Sequence, residues 1–277
     1  MIPAAFDYVR AGSADEAVAL LGQYGDDAKL LAGGHSLLPL MKLRLASPSV
    51  IVDLGRVRDL SYVRDAGDHI AIGALTRHCD VQGNALLQST VPLLPHVAGQ
   101  VGDPQVRHRG TIGGSIAHGD PASDLPAAVL ALGGSLVAVG PAGSREIAAS
   151  DFFRGFLETA LAPDEVLTEI RVPKMDGAGW SFQKFNRRAQ DWAIVGVVAV
   201  GPSAGGGVAL VNMASTPVRA AAVERAAAAG ASPAEAAAAA PEGLDPPSDL
   251  NASPEFRRHL ATVLTRRALE EVAARRS

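Results

Sequence analysis

The sequence predicts an α+β protein in two parts, and three observations carry that prediction. Ahead of Glu165, short β-rich runs alternate with helical patterns. From Glu165 the strands lengthen and follow one another. Beyond Pro217 the chain turns alanine-rich and closes on a long helical pattern. Strands in a run, then helices in a run, mark a separate α+β module. At 277 residues the chain is long enough for two domains, each with a core.

Taken in order, Ala14–Gln23 puts Ala17, Val18, Leu20 and Leu21 near one helical face, with Ser13 as N-cap and Glu16 at the capping-box position. Lys29–Ala32 reads as a short strand running into Gly33-Gly34. Ser36–Leu45 is helical by the spacing of Leu37, Leu40, Met41 and Leu45, and Pro48-Ser49 breaks the pattern. Val50–Val52, ending at Asp53, and His69–Ile72 are buried-strand candidates. Leu93–Val101 follows Pro92, and Leu125–Leu132 carries Pro126 in its first turn, where proline suits a helix start. Gly133-Gly134 ends that second helix, and Leu136–Val139 is the next strand. Four longer strands follow: Glu165–Val172, Trp180–Asn186, Ala193–Val200 and Val208–Met213. Pro217–Ala229 and Ser232–Ala240 read as a pair of surface helices. Glu255–Arg275 is a long terminal helix whose arginines form a solvated or inter-subunit face.

Lys plus Arg number 25 against 29 Asp plus Glu, a net charge of −4, without the basic surplus of a nucleic-acid binder. The one cysteine, Cys79, excludes an intramolecular disulfide and cannot supply the roughly four thiolates of an iron–sulfur cluster. No stretch reaches the ~18 apolar residues of a membrane span, and MIPAAFDYVR lacks the pattern of a secretory signal, so a cytoplasmic protein is expected. His78, His108 and His118 share no ligand spacing on any one element, and no metal site is expected.

Two glycine turns hold the chemistry. Ala32-Gly33-Gly34-His35-Ser36 follows a strand and opens a helix, and Thr111-Ile112-Gly113-Gly114-Ser115 repeats the theme. Paired glycines let main-chain N–H groups approach an anion with no Cβ in the way, and a helix start adds unpaired donors. Neither turn is a G-x-G-x-x-G or Walker A loop, and either alone reads equally well as an ordinary turn. Facing each other, they suit the two phosphates of one dinucleotide. His35 fits a packing or hydrogen-bonding role better than that of a catalytic base, and no catalytic acid–base pair stands out.

Ala32–Leu54 and Gly102–Gly134 resemble the FAD-binding medium subunits of molybdenum hydroxylases, the family of the carbon monoxide dehydrogenase and xanthine dehydrogenase flavoproteins. The similarity runs on through Glu165–Pro173, Phe182–Val197 and the terminal helix, nearly the whole chain. It implies a two-subdomain FAD-binding domain of the vanillyl-alcohol oxidase-like (PCMH) type over residues 1–174, divided near residue 55. A smaller α+β C-terminal domain with an antiparallel sheet and helices then spans 175–277.

The resemblance also implies a site. Ala32, Gly33, Gly34, His35 and Ser36 would contact the FAD pyrophosphate from one side, and Thr111, Ile112, Gly113, Gly114 and Ser115 from the other. Ser115 stands where xanthine dehydrogenase-like chains carry asparagine. Asp124 matches a flavin-contacting aspartate and reads equally as a helix N-cap. Leu167 matches an apolar position beside the adenine or flavin. Lys184 matches a basic position near the isoalloxazine, with Gln183 or a solvated lysine as alternatives. Trp192 matches an aromatic position near the flavin and reads as well as a strand-end core residue. Asp103, Arg107 and Arg109 would orient the second turn by salt bridges or lie as surface charges.

The implied function is electron transfer: FAD on this chain accepts electrons from the [2Fe–2S] clusters of an iron–sulfur small subunit and passes them to an external acceptor. A molybdopterin large subunit oxidises the substrate, and the whole is a dimer of heterotrimers. A stand-alone FAD oxidoreductase acting on a small organic substrate, or a nucleotide-binding protein without redox chemistry, are the alternatives.

Overall fold

The computed structural model describes residues 2–202 and 205–275. The expected α+β class holds, built on three principal sheets. The first is small and parallel, with Val50–Asp53 between Asp7–Arg10 and Ala28–Leu31. The helix Ala14–Tyr24 buries Ala17, Val18 and Leu21 in a small core with Val50 and Val52. Ser13 caps this helix as expected, accepting from the Glu16 N–H at 3.1 Å. The Glu16 carboxylate, however, reaches past the N-cap and accepts from the Gly12 N–H at 2.7 Å, so the capping box is not closed on Ser13.

The second sheet is antiparallel, in the order Val63–Asp65, His69–Gly73, Val166–Pro173, Ser135–Gly140, Gly143–Ala148. One face contributes Ile70, Ile72, Leu136, Ala138, Ile170 and Val172 to the main core. The edge strand Gly143–Ala148 and the strand Asp7–Arg10 went unread in the sequence because both are almost wholly exposed, so neither shows the apolar alternation of a half-buried strand.

The third sheet is antiparallel, in the order Trp180–Phe185, Val195–Val200, Val208–Val211, Val218–Arg219. Its central strands are apolar throughout because both faces are covered. Phe182, Val198, Val200, Ala209 and Val211 join the main core, whereas Val195, Val197, Ala199, Val208 and Leu210 face the second core under the terminal helix Pro254–Ala274. The helix Asp124–Ala131 lies between the second and third sheets, with all of its residues buried. A helix apolar on every side belongs in such a place.

Three expectations for the C-terminal part change. Pro217–Ala229 holds the short strand Val218–Arg219 before a helix, Ala221–Ala228. The alanines of Pro233–Ala238 are not a surface stripe, since Ala236 and Ala237 are buried, Ala236 in the second core with Ala261 and Ala268; small side chains let the helices approach closely. Finally, Arg257 is not solvated. Its side chain is wholly buried, donating from Nη1 to the Ile194 carbonyl and standing 2.8 Å from the Asp249 carboxylate. Among the described residues no helix is long and apolar enough to cross a membrane.

Because Asp124–Ala131 is packed on all sides, it has no room for added volume. Ala128→Leu, at a position with no exposed surface, is expected to cost about 1–3 kcal/mol by overpacking. A urea midpoint unchanged from wild type would contradict that packing.

Candidate functional site

The first glycine turn leaves the carboxyl end of the parallel strand Ala28–Leu31, the end at which open α/β sheets take ligands. It then enters the short helix Leu37–Lys42. Gly34 has φ of +78°, a conformation that costs glycine nothing. Among the described residues the N–H groups of Ala32, Gly33, Gly34, His35 and Ser36 meet no acceptor in the protein. Backbone donors are rarely left unpaired unless water or a ligand takes them. Successive free amides around one turn form an anion-binding concavity. The turn is half-buried apart from the exposed His35.

The second turn differs. It begins the helix Ile112–His118, and its amides are used internally. The Ile112 N–H donates to the Thr76 carbonyl at 3.0 Å and the Gly113 N–H to the Ala74 carbonyl at 2.9 Å. The Gly114 N–H donates to the Thr111 hydroxyl at 3.1 Å. The expectation that both turns offer runs of amides therefore needs correcting: the second turn presents the Ser115 hydroxyl and a floor of small residues. The cause is local, since Thr111 is the helix N-cap and consumes a donor in that role.

The first turn meets the backbone just ahead of the second, and Ala32 faces Gly114. A Cβ built on Gly33 would stand 2.2 Å from the Arg109 carbonyl oxygen and 2.8 Å from Gly110 Cα. A Cβ built on Gly114 would stand 3.6 Å from that of Ala32. Beneath this seam lies His78, 4% exposed, with its ring against Gly110. Its main-chain N–H donates to the Gly110 carbonyl at 3.0 Å, and its ring Nδ1 has no partner. Burial, with His35 and Arg107 adding like charge, pushes its pKa down to about 4. Asp103 and Arg107 shape the preceding loop without ion pairs: Asp103 accepts from the Val106 N–H at 2.8 Å, and Arg107 donates to the Val101 carbonyl at 3.0 Å.

Asp124 is the first residue of its helix, and Ser123 takes the N-cap position. Its carboxylate instead receives the Lys184 ammonium at 2.7 Å, with both side chains about 95% buried. Lys184 also donates to the Gln100 carbonyl at 3.1 Å, and the second oxygen of Asp124 has no partner. Burial raises the Asp124 carboxyl above the usual aspartate range, opposed by the Lys184 ammonium. Gln183 points the other way, to Ser181 and Glu271, as alternation along a strand requires.

Trp192 is 68% exposed and so is not a core residue. It lies with Ala122 on the wall of a cavity of about 120 Å³. Leu167 is buried in the main core. It is joined to the second turn through its neighbour Thr168, whose carbonyl accepts from the Ala74 N–H. The structure thus makes two groupings: the glycine turns over His78 with Leu167 behind, and Asp124 with Lys184 near the Trp192 loop. The Asp124–Lys184 contact and the role of His78 were not visible in the sequence. A residue separation of 60 leaves no local signal, and a single histidine announces nothing about burial.

Residues 4–175 match the model of an FAD-binding domain in molybdopterin dehydrogenases, and residues 180–272 match a carbon monoxide dehydrogenase flavoprotein C-terminal domain. The chain is 41% identical to the carbon monoxide dehydrogenase medium chain of Hydrogenophaga pseudoflava, over 99% of both chains. It is 38% identical to the glyceraldehyde dehydrogenase medium chain of Sulfolobus acidocaldarius, over 99% of this chain and 100% of that one. The crystal structure of the Hydrogenophaga pseudoflava enzyme lacking the Mo-pyranopterin moiety matches with a TM-score of 0.94 at 42% identity, covering all of both chains. Quinoline 2-oxidoreductase from Pseudomonas putida 86 matches with 0.89 at 30% identity, again over all of both chains.

Two outcomes follow from the site's electrostatics. Lys184→Met strands the buried Asp124 and is expected to cost about 3–5 kcal/mol, most of it recovered in Asp124→Leu/Lys184→Met; additive losses in urea unfolding would refute a coupled pair. For His78 the folded pKa of about 4 lies below the ordinary value, so between the two the unfolded chain binds a proton that the folded chain refuses. Its contribution is present above about pH 6.5 and fades as pH falls toward 4, by up to about 3 kcal/mol. His78→Gln should flatten the stability profile across that window, and an unchanged slope would contradict the assignment.

Proposed function

The chain belongs to the family of FAD-binding subunits of molybdopterin dehydrogenases, and from that premise we propose that it transfers electrons as the medium subunit of a molybdenum hydroxylase complex. In this reading it receives them from the [2Fe–2S] clusters of an iron–sulfur small subunit and delivers them to an external acceptor. A molybdopterin large subunit carries out the substrate oxidation. The assembly is a dimer of heterotrimers in the cytoplasm, a setting that agrees with a single, unpaired cysteine. We take residues 1–174 as the FAD-binding domain, divided near residue 55, and residues 175–277 as the second domain. The family models, which meet between residues 175 and 180, support that division.

The observation that carries the reading is the run of acceptor-free amides from Ala32 to Ser36, pressed against the second glycine turn. A diphosphate needs such donors; the space that a Cβ at Gly33 would fill is backbone-lined, and that at Gly114 is bounded by the Thr111 hydroxyl and Ala32 Cβ. Ala32–Ser36 would hold one face of the diphosphate through N–H groups and the Ser36 hydroxyl. Thr111–Ser115 would close the other, chiefly through hydroxyls and the absence of side chains at Gly113 and Gly114. FAD supplies the capacity to take up electrons singly and release them in pairs; the protein binds it, orients it and sets its electrostatic surroundings.

Asp124 and Lys184 place a buried, mutually neutralised carboxylate and ammonium at the seam between the second and third sheets. The unpartnered Asp124 oxygen is available to a ligand hydroxyl. The Lys184 ammonium, held by both Asp124 and the Gln100 carbonyl, would stabilise negative charge that builds up nearby. The exposed indole of Trp192 offers a flat surface to a planar ring, and Leu167 backs the second turn with apolar surface.

The purified chain is expected to be yellow and to bleach with dithionite. In Gly114→Val the new Cβ would press on the Thr111 hydroxyl at 2.7 Å, so that variant should purify without flavin while its C-terminal domain stays folded by circular dichroism. Full flavin content in the variant would overturn the placement of the diphosphate. Reduction of the isolated chain by small organic substrates, with no need of partner subunits, would overturn the electron-transfer role.

A further inference from the structure

Asn212 stands one residue beyond the strand Val208–Val211 with φ of +60°. That left-handed conformation is one that asparagine tolerates better than most side chains. Its two donors go to different parts of the molecule. The main-chain N–H donates to the Pro121 carbonyl at 2.8 Å, three residues before Asp124. The side-chain amide donates to the Ala193 carbonyl at 2.9 Å, directly after Trp192. A carbonyl only accepts, so Nδ2 and not Oδ1 faces it.

The loop that bears Trp192 is bonded mainly to itself. Asn186 Nδ2 donates to the Arg188 carbonyl at 2.6 Å, Arg188 pairs with Asp191 at 2.9 Å, and the Trp192 N–H donates to Asp191 Oδ1 at 3.0 Å. Its inner side fronts the cavity lined by Ala122, Asp191, Trp192, Asn212 and Arg257, so packing alone does not hold it. The anchors to the body follow at once: the Ala193 carbonyl on Asn212, the Ile194 carbonyl on the buried Arg257, and the Ile194 N–H on the Phe185 carbonyl. Of these groups only Asn212 also binds the segment leading to Asp124.

We infer that Asn212 is a positioning residue that sets where Trp192 stands relative to Asp124, and thereby how the indole meets the cofactor ring. The second half of that statement rests on the function proposed above. Arg257 secures the next carbonyl and pairs with Asp249 but makes no hydrogen bond to the Pro121–Asp124 segment. Removing the side-chain amide of Asn212 therefore frees the loop at the point closest to Trp192 while leaving both glycine turns intact.

The test uses the full chain carrying Trp180→Phe, in which Trp192 is the remaining tryptophan of the two. Asn212→Gly keeps the positive φ and the bond to Pro121 but deletes the amide. Asn212→Asp keeps the shape and turns an oxygen toward the Ala193 carbonyl. Time-resolved anisotropy of Trp192 should show its mobile fraction rising about fivefold in both, the weight of one hydrogen bond. Flavin content should be unchanged and the quenching of flavin emission weakened. Unchanged anisotropy in both variants would overturn the clamp. A larger mobile fraction, read as lowered anisotropy, with flavin emission unaltered would overturn the role toward the cofactor ring. Anisotropy reads the clamp with or without flavin, so failure of the cofactor assignment appears separately, as a parent chain that retains none.

Discussion

The helix Asp124–Ala131 is buried on every side, and that burial decides where the other parts can stand. It separates the five-stranded sheet from the four-stranded one and shares a single core with both. The two sheets are therefore not independent units joined by a linker. The sequence distance between Asp124 and Lys184 is closed because the helix start and the strand Trp180–Phe185 meet at the same seam. A buried ion pair is weak evidence for stability, since desolvation offsets much of the attraction. Its value here is spatial: it fixes an ammonium and a free carboxylate oxygen at one point of the interior.

The glycine turns solve two different problems with similar residues. In the first, with a positive φ at Gly34, five successive amides have no acceptor among the described residues. In the second, the amides are spent on Thr76, Ala74 and Thr111, so glycine serves close packing. Sequence similarity between Ala32–Ser36 and Thr111–Ser115 suggested equal roles. Hydrogen-bond accounting separates a donor array from a rigid wall, and only three-dimensional pairing carries that information.

Much of the architecture was legible because it rests on burial. The central strands of the third sheet are apolar on both faces, and the helix Leu125–Leu132 was readable from its proline and its glycine stop. Features set by partners distant in sequence were not. Arg257 looked like one more surface arginine, yet it is buried because two acceptors, the Ile194 carbonyl and Asp249, await it. Glu16 occupied a capping-box position but found the Gly12 N–H instead. The choice between Gln183 and Lys184 turned on strand register, where a slip of one residue exchanges the two faces. Asn212 offered no signal, because its meaning lies in a positive φ and in two carbonyls from separate elements.

The balance of charge around the site follows from these choices. The first turn would meet an anion with neutral N–H donors, which do not require a lysine or arginine to be held there in advance of the ligand. The buried Lys184 is already matched by Asp124, the buried Arg257 stands against Asp249, and the buried imidazole beneath the turns is held neutral by its burial. Without a ligand, then, the interior carries almost no net charge. In the placement proposed above, a diphosphate would have its charge spread over the backbone N–H dipoles of the first turn. On that reading the Lys184 ammonium, already paired with Asp124 and the Gln100 carbonyl, would not be consumed in binding phosphate.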